Sequence, residues 1–242
     1  MKSESEKEIL HGVFLAENDP EKIWGWDTPA GRIRSKRRAE LIIRGAGLKP
    51  GMKVLEIGCG TGFFTEMFAK SGAHILAVDI SDDLLEIARK RGLPSETVSF
   101  VTARFEDCDA QGPFDAVIGS SILHHLDIKT ALAKIHSLLR SGGVMCFTEP
   151  NMLNPQIMIQ KNIPFIKKIM GDSPDETAFF RWSLDRLLKR KRFADIQIMP
   201  FDWLHPATAP SFIRMVGRMG KLLEKTPFIQ EFAGSLFIQA KR

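Results

Sequence analysis

Apolar and polar positions along the chain follow two different periods. Short apolar runs predict buried strands at 53–58, 73–79, 97–102, 114–119 and 144–148. Between these runs, apolar residues recur every three or four positions, as they do from Ile128 to Leu139, and this spacing predicts amphipathic helices. Strands that alternate with helices predict βαβ units and a parallel sheet, so the predicted fold class is α/β.

The alternation changes after the fifth strand. Residues 151–180 combine prolines with many apolar residues, and they predict an irregular helical lid over an active site. A helix at 184–192 and a strand at 196–203 then resume the core pattern. A second insertion at 207–230, largely helical, precedes a last strand at 234–240, so seven strands are predicted.

A single large domain is expected, because 242 residues are enough for one α/β core with insertions. We expect this domain to occupy 30–242, and residues 1–29 to form an N-terminal arm over the active site. The segment 30–46 predicts a helix with Ala39 and Ile42 on its inward face and arginines on its outward face.

The most informative segment is Lys53–Thr65, which reads KVLEIGCGTGFFT. A strand runs into Gly58, Gly60 and Gly62, and a helix follows directly, so bare backbone lies beside the unpaired N–H groups of a helix start. Asp79 ends the second apolar run. Because neighbouring strands lie about 4.8 Å apart, its carboxylate can reach the ribose of a nucleotide over the first turn. The segment predicts a nucleoside-cofactor site.

The glycine spacing separates two classes of cofactor. The nicotinamide-dinucleotide fingerprint G-x-G-x-x-G would require a glycine where the chain has Phe63. The chain reads E-x-G-x-G-x-G instead, with Glu56 two residues before Gly58. This pattern resembles the S-adenosylmethionine-binding motif of class I (Rossmann-like) methyltransferases. The resemblance implies a seven-stranded, mostly parallel sheet with helices on both faces, in the strand order 3-2-1-4-5-7-6 with an antiparallel seventh strand.

The resemblance also implies which residues bind the cofactor. Those around its methionine and ribose would come from the first strand and its loop: Glu56, Gly58, Cys59, Gly60, Thr61 and Gly62. Asp79 would bind the ribose hydroxyls and Ile80 would pack on the adenine. Ser120, which follows the fourth strand, would lie near the sulfonium.

The chain departs from the family pattern at Arg104. An acidic residue usually stands there and accepts a hydrogen bond from the adenine amino group, which arginine cannot do. Arg104 and Phe105 stay among the expected cofactor-binding residues. The acceptor for the amino group is left open between the backbone near Phe105 and the carboxylates of Glu106 and Asp107.

Three histidines are candidate catalytic bases. A hydroxyl acceptor must lose a proton during methylation, and an imidazole with a pKa near 6.5 suits that step. His124 and His125 follow the fourth strand, and His205 follows the sixth. The alternative is structural: the first two would cap the next helix or hydrogen-bond in the core, and His205 would lie in a turn formed by Pro206.

An arginine near the N-terminus is a candidate for the cofactor carboxylate. The segment Trp24–Gly31 loosely resembles the tryptophan-rich stretch of quinone-biosynthesis O-methyltransferases, in which a following arginine holds that carboxylate. Arg38 is the nearest match here, and Arg34 lies one turn earlier on the same helix face. Bidentate arginine–carboxylate pairing makes the role chemically sensible, although surface arginines on a helix remain the alternative.

Composition adds limits on compartment and partners. Two basic runs, 32–44 and 181–192, are interpreted as solvated helix faces or as surfaces for an anionic partner. The widely spaced Cys59, Cys108 and Cys146 predict reduced thiols, a cytoplasmic location and no metal centre.

The chain's relation to membranes is limited by its apolar runs. Met1–Glu8 is charged, so no signal peptide is expected, and no apolar run approaches the roughly 20 residues that span a bilayer. Lys161, Lys167 and Lys168 lie in a segment without acids, which leaves a weak contact with an anionic membrane surface open; closure of the pocket alone is the favoured interpretation.

The predicted function is transfer of a methyl group from S-adenosylmethionine to a small, apolar or amphipathic acceptor, at oxygen. The alternatives are an RNA or protein methyltransferase and a non-catalytic S-adenosylmethionine-binding module. The exit of the fourth strand, Ser120–Leu126, lacks the Asn/Asp-Pro-Pro-aromatic motif of amino-group methylases. No specific nucleic-acid partner is therefore expected, and the oligomeric state stays open.

Overall fold

The structure is a computed structural model that describes residues 4–170 and 177–242. Its strands are β1 (Lys53–Ile57), β2 (His74–Asp79), β3 (Val98–Thr102), β4 (Phe114–Ser120), β5 (Leu139–Pro150), β6 (Ala194–Phe201) and β7 (Ser235–Lys241). Its α-helices are α1 (Glu4–Glu17), α2 (Pro20–Ile23), α3 (Pro29–Ala46), α4 (Phe63–Ala69), α5 (Asp82–Arg89), α6 (Ile128–Leu138), α7 (Pro155–Asn162), α8 (Pro164–Met170), α9 (Arg181–Arg190) and α10 (Pro210–Leu223). Part of the predicted lid, 171–176, lies outside the described residues.

The seven strands form one sheet in the order β3-β2-β1-β4-β5-β7-β6. All neighbouring pairs are parallel except those of β7, which runs antiparallel to both β5 and β6. The predicted fold class and strand order are therefore confirmed. The order reverses between β1 and β4, and this switch point is where open α/β sheets bind ligands, beyond the carboxyl ends of their strands.

Each face of the sheet has its own apolar core. On one face α3, α4 and α5 cover the strands with buried side chains that include Ile42, Phe68 and Leu85. On the other face α6 and α9 contribute residues such as Leu132 and Leu188. Because both faces are covered, the central strands are apolar on both sides rather than alternating, which explains their continuous apolar runs.

Polar caps at the helix starts agree with the sequence. The Ser81 hydroxyl accepts a hydrogen bond from the Leu84 N–H at the start of α5, and the Asp127 carboxylate accepts one from the Lys129 N–H at the start of α6. Gly47 ends α3 in the left-handed region, at φ 63°. Side-chain caps of this kind satisfy N–H groups that have no partner inside the helix.

Two elements differ from the prediction. Residues 4–17 form a helix, α1, although the sequence analysis assigned them only to an arm. β5 is also longer than the predicted 144–148, because Leu139 already pairs with Phe114 and the strand stays paired with β7 up to Pro150. Pairing with neighbours on both sides extends the strand beyond the buried apolar run that signalled it.

Candidate active site

The loop after β1 requires glycine at its turning points. Gly58, Gly60 and Gly62 all have positive φ, of 66°, 50° and 72°. A Cβ on Gly58 would lie 2.3 Å from the Cγ1 atom of Ile122, which follows β4. Backbone conformation and close approach therefore both exclude larger residues here.

Asp79 ties this loop to the end of β2. Its Oδ2 accepts a hydrogen bond from the Gly60 N–H at 2.7 Å, and its Oδ1 accepts one from the Ser81 N–H at 2.9 Å. Burial raises the pKa of Asp79, whereas these backbone hydrogen bonds act in the opposite direction. The carboxylate thus fixes the loop and still lines the cavity beside it.

The loop borders a cavity of about 650 Å³. The residues predicted for the site that line it are Arg38, Gly58, Cys59, Gly60, Thr61, Asp79, Ile80, Arg104, Phe105, Ser120, His124, His125 and His205. The topology therefore brings together the ends of β1, β2, β3 and β4 with the loop after β6.

Two further residues predicted for the site, Glu56 and Gly62, do not line the cavity. Glu56 is 2% exposed under the loop, and its Oε2 has no hydrogen-bond partner within the described part of the chain. Burial raises the pKa of this carboxyl group to about 8. Gly62 instead begins α4, where a Cβ would lie 3.0 Å from the Ala88 Cβ. Both residues support the loop from behind.

Arg38 is buried against the cavity, with 4% of its surface exposed. Its guanidinium donates to the hydroxyls of Ser121, at 3.2 Å, Thr148, at 3.4 Å, and Ser235. Among the residues that the structure describes, it has no carboxylate within 4 Å, and its Nε has no hydrogen-bond partner. Burial, and next the charge of Arg34, lower the pKa of Arg38 to about 10. The arrangement leaves a buried cation that faces the cavity and has no carboxylate ion-paired to it among the described residues.

Arg34 contrasts with Arg38 on the same helix. Its Nε donates to Asp202 Oδ2 at 2.8 Å, and its guanidinium lies over the Trp26 ring at 5.5 Å from the centroid. Arg37, one residue before Arg38, pairs with Glu224 outside the cavity. Three of the six basic residues of the first run, Arg34, Arg37 and Arg38, therefore bind within the protein, and the other three are exposed.

His124 forms a buried pair with a residue that the sequence analysis missed. Its Nδ1 lies 2.6 Å from Oε2 of Glu149, near the end of β5, and both side chains are buried. Glu149 Oε1 also accepts hydrogen bonds from the N–H groups of Ile122 and Leu123, each at 2.9 Å. In the sequence, Glu149 directly follows the predicted strand 144–148. This position was the one available signal for it, because residues that follow parallel strands meet at the same edge of the sheet.

His125 and His205 contact other groups than His124 does. His125 Nδ1 lies 3.4 Å from Oε2 of Glu8, on α1, and its ring packs on that of His124 with a centroid separation of 4.3 Å. His205 Nδ1 accepts a hydrogen bond from the Ala207 N–H at 3.1 Å. Burial, and next the charge of Arg34, lower the pKa of His205. Both ring nitrogens of His205 therefore have partners, since Nε2 also lies 2.8 Å from the side-chain nitrogen of Gln156.

Arg104 turns toward acidic neighbours on its own loop. Its Nε lies 3.3 Å from Glu106 Oε2, and its Nη1 lies 3.6 Å from Asp107 Oδ2. Glu106 lines the cavity, whereas Asp107 does not. Of the two carboxylates left open for adenine, the placement favours Glu106.

The N-terminal helices cover the glycine loop. A Cβ on Gly12, in α1, would lie 2.3 Å from Ser81 Oγ, so the two elements are in close contact. Arg91 donates to the carbonyl oxygen of Thr61 at 2.6 Å, and it also pairs with Glu21 on α2. These contacts tie the N-terminal segment to the loop and close one side of the cavity.

The first insertion closes the opposite side. Asn154, Gln156, Ile157 and Gln160 from α7 and its cap line the cavity, together with Lys161, which is only 9% exposed. From the second insertion, only Ala207 lines it within the described residues. α7 therefore shapes the wall of the cavity and α10 does not.

The described residues can also be searched for metal ligands and for a reactive thiol. In the ranges 4–170 and 177–242, no group of three or more His, Cys, Asp or Glu residues is placed to hold a metal ion. Cys59 is a free thiol in the glycine loop, and burial raises its pKa. It is therefore held as a neutral thiol, which is a poor nucleophile.

Comparison with known proteins finds a family that is similar to the part of the chain around the glycine loop. Residues 54–143 match the family described as "Methyltransferase domain". This stretch holds the glycine loop, Asp79 and both adjacent histidines of the cavity. The match spans 90 of the 242 residues, and over this stretch the chain is similar to methyltransferase domains.

Relatives agree with the methyltransferase domain. The chain is 33% identical to the ubiquinone biosynthesis O-methyltransferase of Xanthomonas axonopodis pv. citri, over 53% of this chain and 56% of that protein. It is 37% identical to the protein of the same name from Aromatoleum aromaticum, over 52% of this chain and 57% of that protein. The chain thus spans little more than half the length of these relatives.

A solved structure extends the likeness of the methyltransferase domain to nearly the whole chain. The N-methyltransferase NodS from Bradyrhizobium japonicum WM9, in complex with S-adenosyl-L-homocysteine, superposes with a TM-score of 0.64. The match covers 97% of both chains at 15% identity, so it shows a shared fold.

Proposed function

We propose that the chain transfers a methyl group from S-adenosylmethionine to a hydroxyl oxygen of a small, apolar or amphipathic acceptor. The carrying observation is the single cavity that joins the glycine loop and Asp79 to His124, His125 and the buried Arg38. The family match supports the cofactor. The acceptor and its oxygen rest on the chemistry of the cavity and on the names of the relatives.

The cofactor fits the residues present. Arg38 offers a buried positive charge, and its unpaired Nε suits the cofactor carboxylate. Asp79 retains lone pairs for the ribose hydroxyls, since each of its oxygens accepts one backbone hydrogen bond. Ile80 and Phe105 supply apolar contact for the adenine, and Glu106 supplies an acceptor for its amino group. When bound, the cofactor supplies an electrophilic methyl carbon on a positive sulfur.

The other side of the cavity suits an apolar acceptor with a hydroxyl group. Ile157, Trp203 and Leu204 form apolar walls. One of the histidines after β4 would receive the hydroxyl proton, a step that contributes about 10²–10⁴-fold in rate for a well-placed base. Two relatives named for ubiquinone biosynthesis O-methylation favour an aromatic hydroxyl.

Incubation with S-adenosylmethionine and a panel of phenols and catechols with apolar side chains tests this proposal. We expect release of S-adenosylhomocysteine together with a methyl ether, both measured by mass spectrometry. Cofactor binding by calorimetry without product from the panel or from a metabolite extract would favour the non-catalytic module. Methylated RNA or protein in the same assay would favour the other alternative.

The location of the reaction is part of the proposal. The described part of the chain has no helix long and apolar enough to cross a bilayer. Cys59, Cys108 and Cys146 are all free and buried, which suits a reducing compartment. We therefore place the reaction in the cytoplasm. A thiol-specific label that reacts with the unfolded protein from cells, without prior reduction, would support this placement.

A weak contact with an anionic membrane surface remains part of the same proposal. Exposed apolar side chains on α7, α8 and their junction are Met158, Ile159, Ile163 and Phe165. Those on α10 are Phe212, Met215, Met219 and Leu222, with Arg214, Arg218 and Lys221 beside them. Lys161 is buried and lines the cavity, and the side chain of Lys168 is outside the described residues. Basic residues next to an apolar helix face suit a bilayer with anionic lipids.

Flotation with vesicles tests this contact. We expect more protein to float with phosphatidylcholine mixed with phosphatidylglycerol than with phosphatidylcholine alone. Replacing Phe212 and Met219 by Ser should reduce the difference, whereas replacing Met199, an exposed methionine on β6, should not. Equal flotation in all cases would contradict the contact, and a concentration-dependent increase in mass without lipid would point to a second copy of the chain.

A further inference from the structure

A hydrogen bond joins the first insertion to the loop after β6. The side-chain amide of Gln156, on α7, lies 2.8 Å from Nε2 of His205. Both residues are exposed, and both line the cavity. Because β6 is the edge strand of the sheet, three positions from β4, this contact lies on the acceptor side of the cavity and away from the glycine loop.

The proton on the His205 ring decides how this hydrogen bond is made. Nδ1 accepts the Ala207 N–H at 3.1 Å, so Nδ1 carries a lone pair and the neutral ring carries its proton on Nε2. Burial, and next the charge of Arg34, lower the pKa of His205, which favours the neutral ring at pH 7. Nε2 is therefore a donor, and its partner must be an acceptor.

The same proton decides which way the Gln156 amide points. A side-chain amide has an acceptor oxygen at one end and a donor NH2 group at the other, and a half-turn exchanges them. With the NH2 group toward the ring, two N–H groups would face each other, so Oε1 is the end that accepts from Nε2–H. The NH2 group then points away from His205, and within 4–170 and 177–242 the side chain has no other hydrogen bond.

Contacts on both sides hold this pair in place. In the loop after β6, the Thr28 hydroxyl donates to the carbonyl oxygen of Pro206 at 2.9 Å. At the start of α7, the side-chain oxygen of Asn154 accepts the backbone N–H of Gln156 at 3.1 Å. Because the backbone is fixed at each end of the contact, His205 can set the direction of the amide.

The surroundings of the amide leave its NH2 group as a point of recognition. Ile157 and Trp203 line the same side of the cavity with apolar surface. The side-chain nitrogen of Asn154, which also lines the cavity, donates to the carbonyl oxygen of Phe232 and is thus used within the chain. A bound molecule can therefore offer an oxygen to the two N–H donors of Gln156 in place of water.

We propose that Gln156 binds the methyl acceptor through its NH2 group and selects molecules with a carbonyl oxygen remote from the methylated hydroxyl. His205 is a positioning residue, because it turns the amide so that this donor faces the cavity. The inference rests on the proposed function. It names a class of methyl acceptor for that function: phenols whose apolar part carries a ketone or ester group.

Pairs of ligands that differ in one oxygen test this selection. Each pair contains two methyl ethers of one phenol, with a ketone in the alkyl chain of one and a methylene at that position in the other, in several chain lengths. Binding is measured by calorimetry with S-adenosylhomocysteine present, so no turnover is needed. For at least one length, we expect the wild type to bind the ketone about three- to tenfold more tightly, the effect of one hydrogen bond.

Two substitutions separate the donor of Gln156 from its bond to His205. Gln156→Glu keeps an oxygen that accepts Nε2–H but has no donor, and Gln156→Leu loses both groups. We expect both variants to lose the preference for the ketone, whereas binding of the methylene compound should change less than about twofold. Gln197→Glu and Gln197→Leu, at an exposed position on β6 outside the cavity, are the matched controls and should keep the preference.

Substitutions of His205 test its positioning role. His205→Phe removes the Nε2–H group and should reduce the preference below about twofold, whereas His205→Gln offers an amide N–H in its place and should retain most of it. Nitrogen NMR of the labelled imidazole should show Nε2–H in the wild type, and this measurement needs no ligand. An Nδ1–H ring would overturn the orientation assigned to the amide.

The outcomes separate this inference from the function on which it rests. Equal binding of both members of every pair by the wild type would overturn the role of Gln156. A preference for the ketone that persists in Gln156→Glu would overturn it as well. Absence of methyl-ether binding together with absence of turnover would instead overturn the proposed function, and the selection with it.

Discussion

The cofactor half of the cavity, made by Gly58–Gly62 and Asp79, differs from the acceptor half, made by His124, Glu149 and the loop after β6. In the cofactor half, backbone groups do most of the work, and Asp79 reaches Gly60 across one strand spacing. In the acceptor half, side chains from α1, β4, β5, α7 and the β6 loop meet from across the chain. A short motif can therefore signal the first half, whereas no local pattern signals the second.

Two buried glutamates show the same contrast. Glu56, under the cofactor half, has an Oε2 without a hydrogen-bond partner in the described residues, and burial raises its pKa to about 8. Glu149, behind the acceptor half, receives two N–H groups and an imidazole. Burial favours the neutral acid at Glu56, whereas the donors around Glu149 fix the orientation of its side chain.

The pH dependence of stability gives the largest expected effect. Because the pKa of Glu56 rises from 4.5 to about 8 on folding, its contribution to stability is full below pH 4.5 and is lost as pH rises toward 8. Glu56→Gln should remove this loss, so at pH 9 the variant should exceed the wild type by on the order of 4 kcal/mol in unfolding free energy.

Urea unfolding at pH 5, 7 and 9 measures this difference. Glu86→Gln, at an exposed position on α5, is the matched control and should follow the wild type at every pH. If the unfolding free energy of Glu56→Gln and of the wild type changed with pH by the same amount, Glu56 would be ionised in the folded protein. The two buried glutamates would then not differ as inferred here.

Asp79→Ala gives the next largest effect. It removes two hydrogen bonds to the loop and the expected contact with the ribose, so affinity for S-adenosylhomocysteine should fall at least about 100-fold. Calorimetry measures this loss, with Asp83→Ala, an exposed acid on α5, as control. Equal affinity of Asp79→Ala and the wild type would contradict the assignment of Asp79 to the cofactor half of the cavity.

Arg38→Met tests where the two halves meet. A lost charge-assisted hydrogen bond should weaken binding of S-adenosylhomocysteine by about 10- to 100-fold. Binding of 5′-methylthioadenosine, which has no carboxylate, should be the same in variant and wild type. Arg37→Met, which breaks a pair with Glu224 outside the cavity, should leave both affinities unchanged. An equal loss for both ligands would show that Arg38 serves only the packing of the sheet edge.

His205→Gln should have the smallest effect. Its Nδ1 is occupied by the Ala207 N–H, so we expect kcat to stay within about twofold of the wild type, far from the 10²–10⁴-fold cost of a lost base. Steady-state turnover of the best acceptor found in the panel measures it. A hundredfold loss would assign the base to the loop after β6 and not to the exit of β4.

The fold was largely predictable because its signals are local. Apolar runs located the strands, and the capping side chains of Ser81 and Asp127 hydrogen-bond to N–H groups two or three residues along the chain. The order of the strands came from resemblance, since pairing depends on contacts between distant residues. α1 was missed because its exposed apolar residues, Ile9 and Phe14 among them, weaken the pattern of a buried helix face.

The site was predictable in its cofactor half and incomplete in its acceptor half. Most of the expected residues line the cavity, but Glu56 and Gly62 stand behind it and Lys161 faces inward. The sequence analysis left three histidines as candidates, with His124 and His125 ahead of His205, because a histidine in a loop carries no sign of its hydrogen-bond partner. The structure distinguishes them through Glu149, 25 residues from His124 along the chain.

The sequence alone determined the α/β class, the glycine turn after the first strand and the acid after the second, because each depends on backbone geometry or on one strand spacing. Only the tertiary structure decided which arginine is buried without a carboxylate, which histidine has a buried acid beside it, and how α1 and α7 close the cavity. Those features depend on burial and on contacts between distant segments, and a side chain acquires both only when the chain has folded.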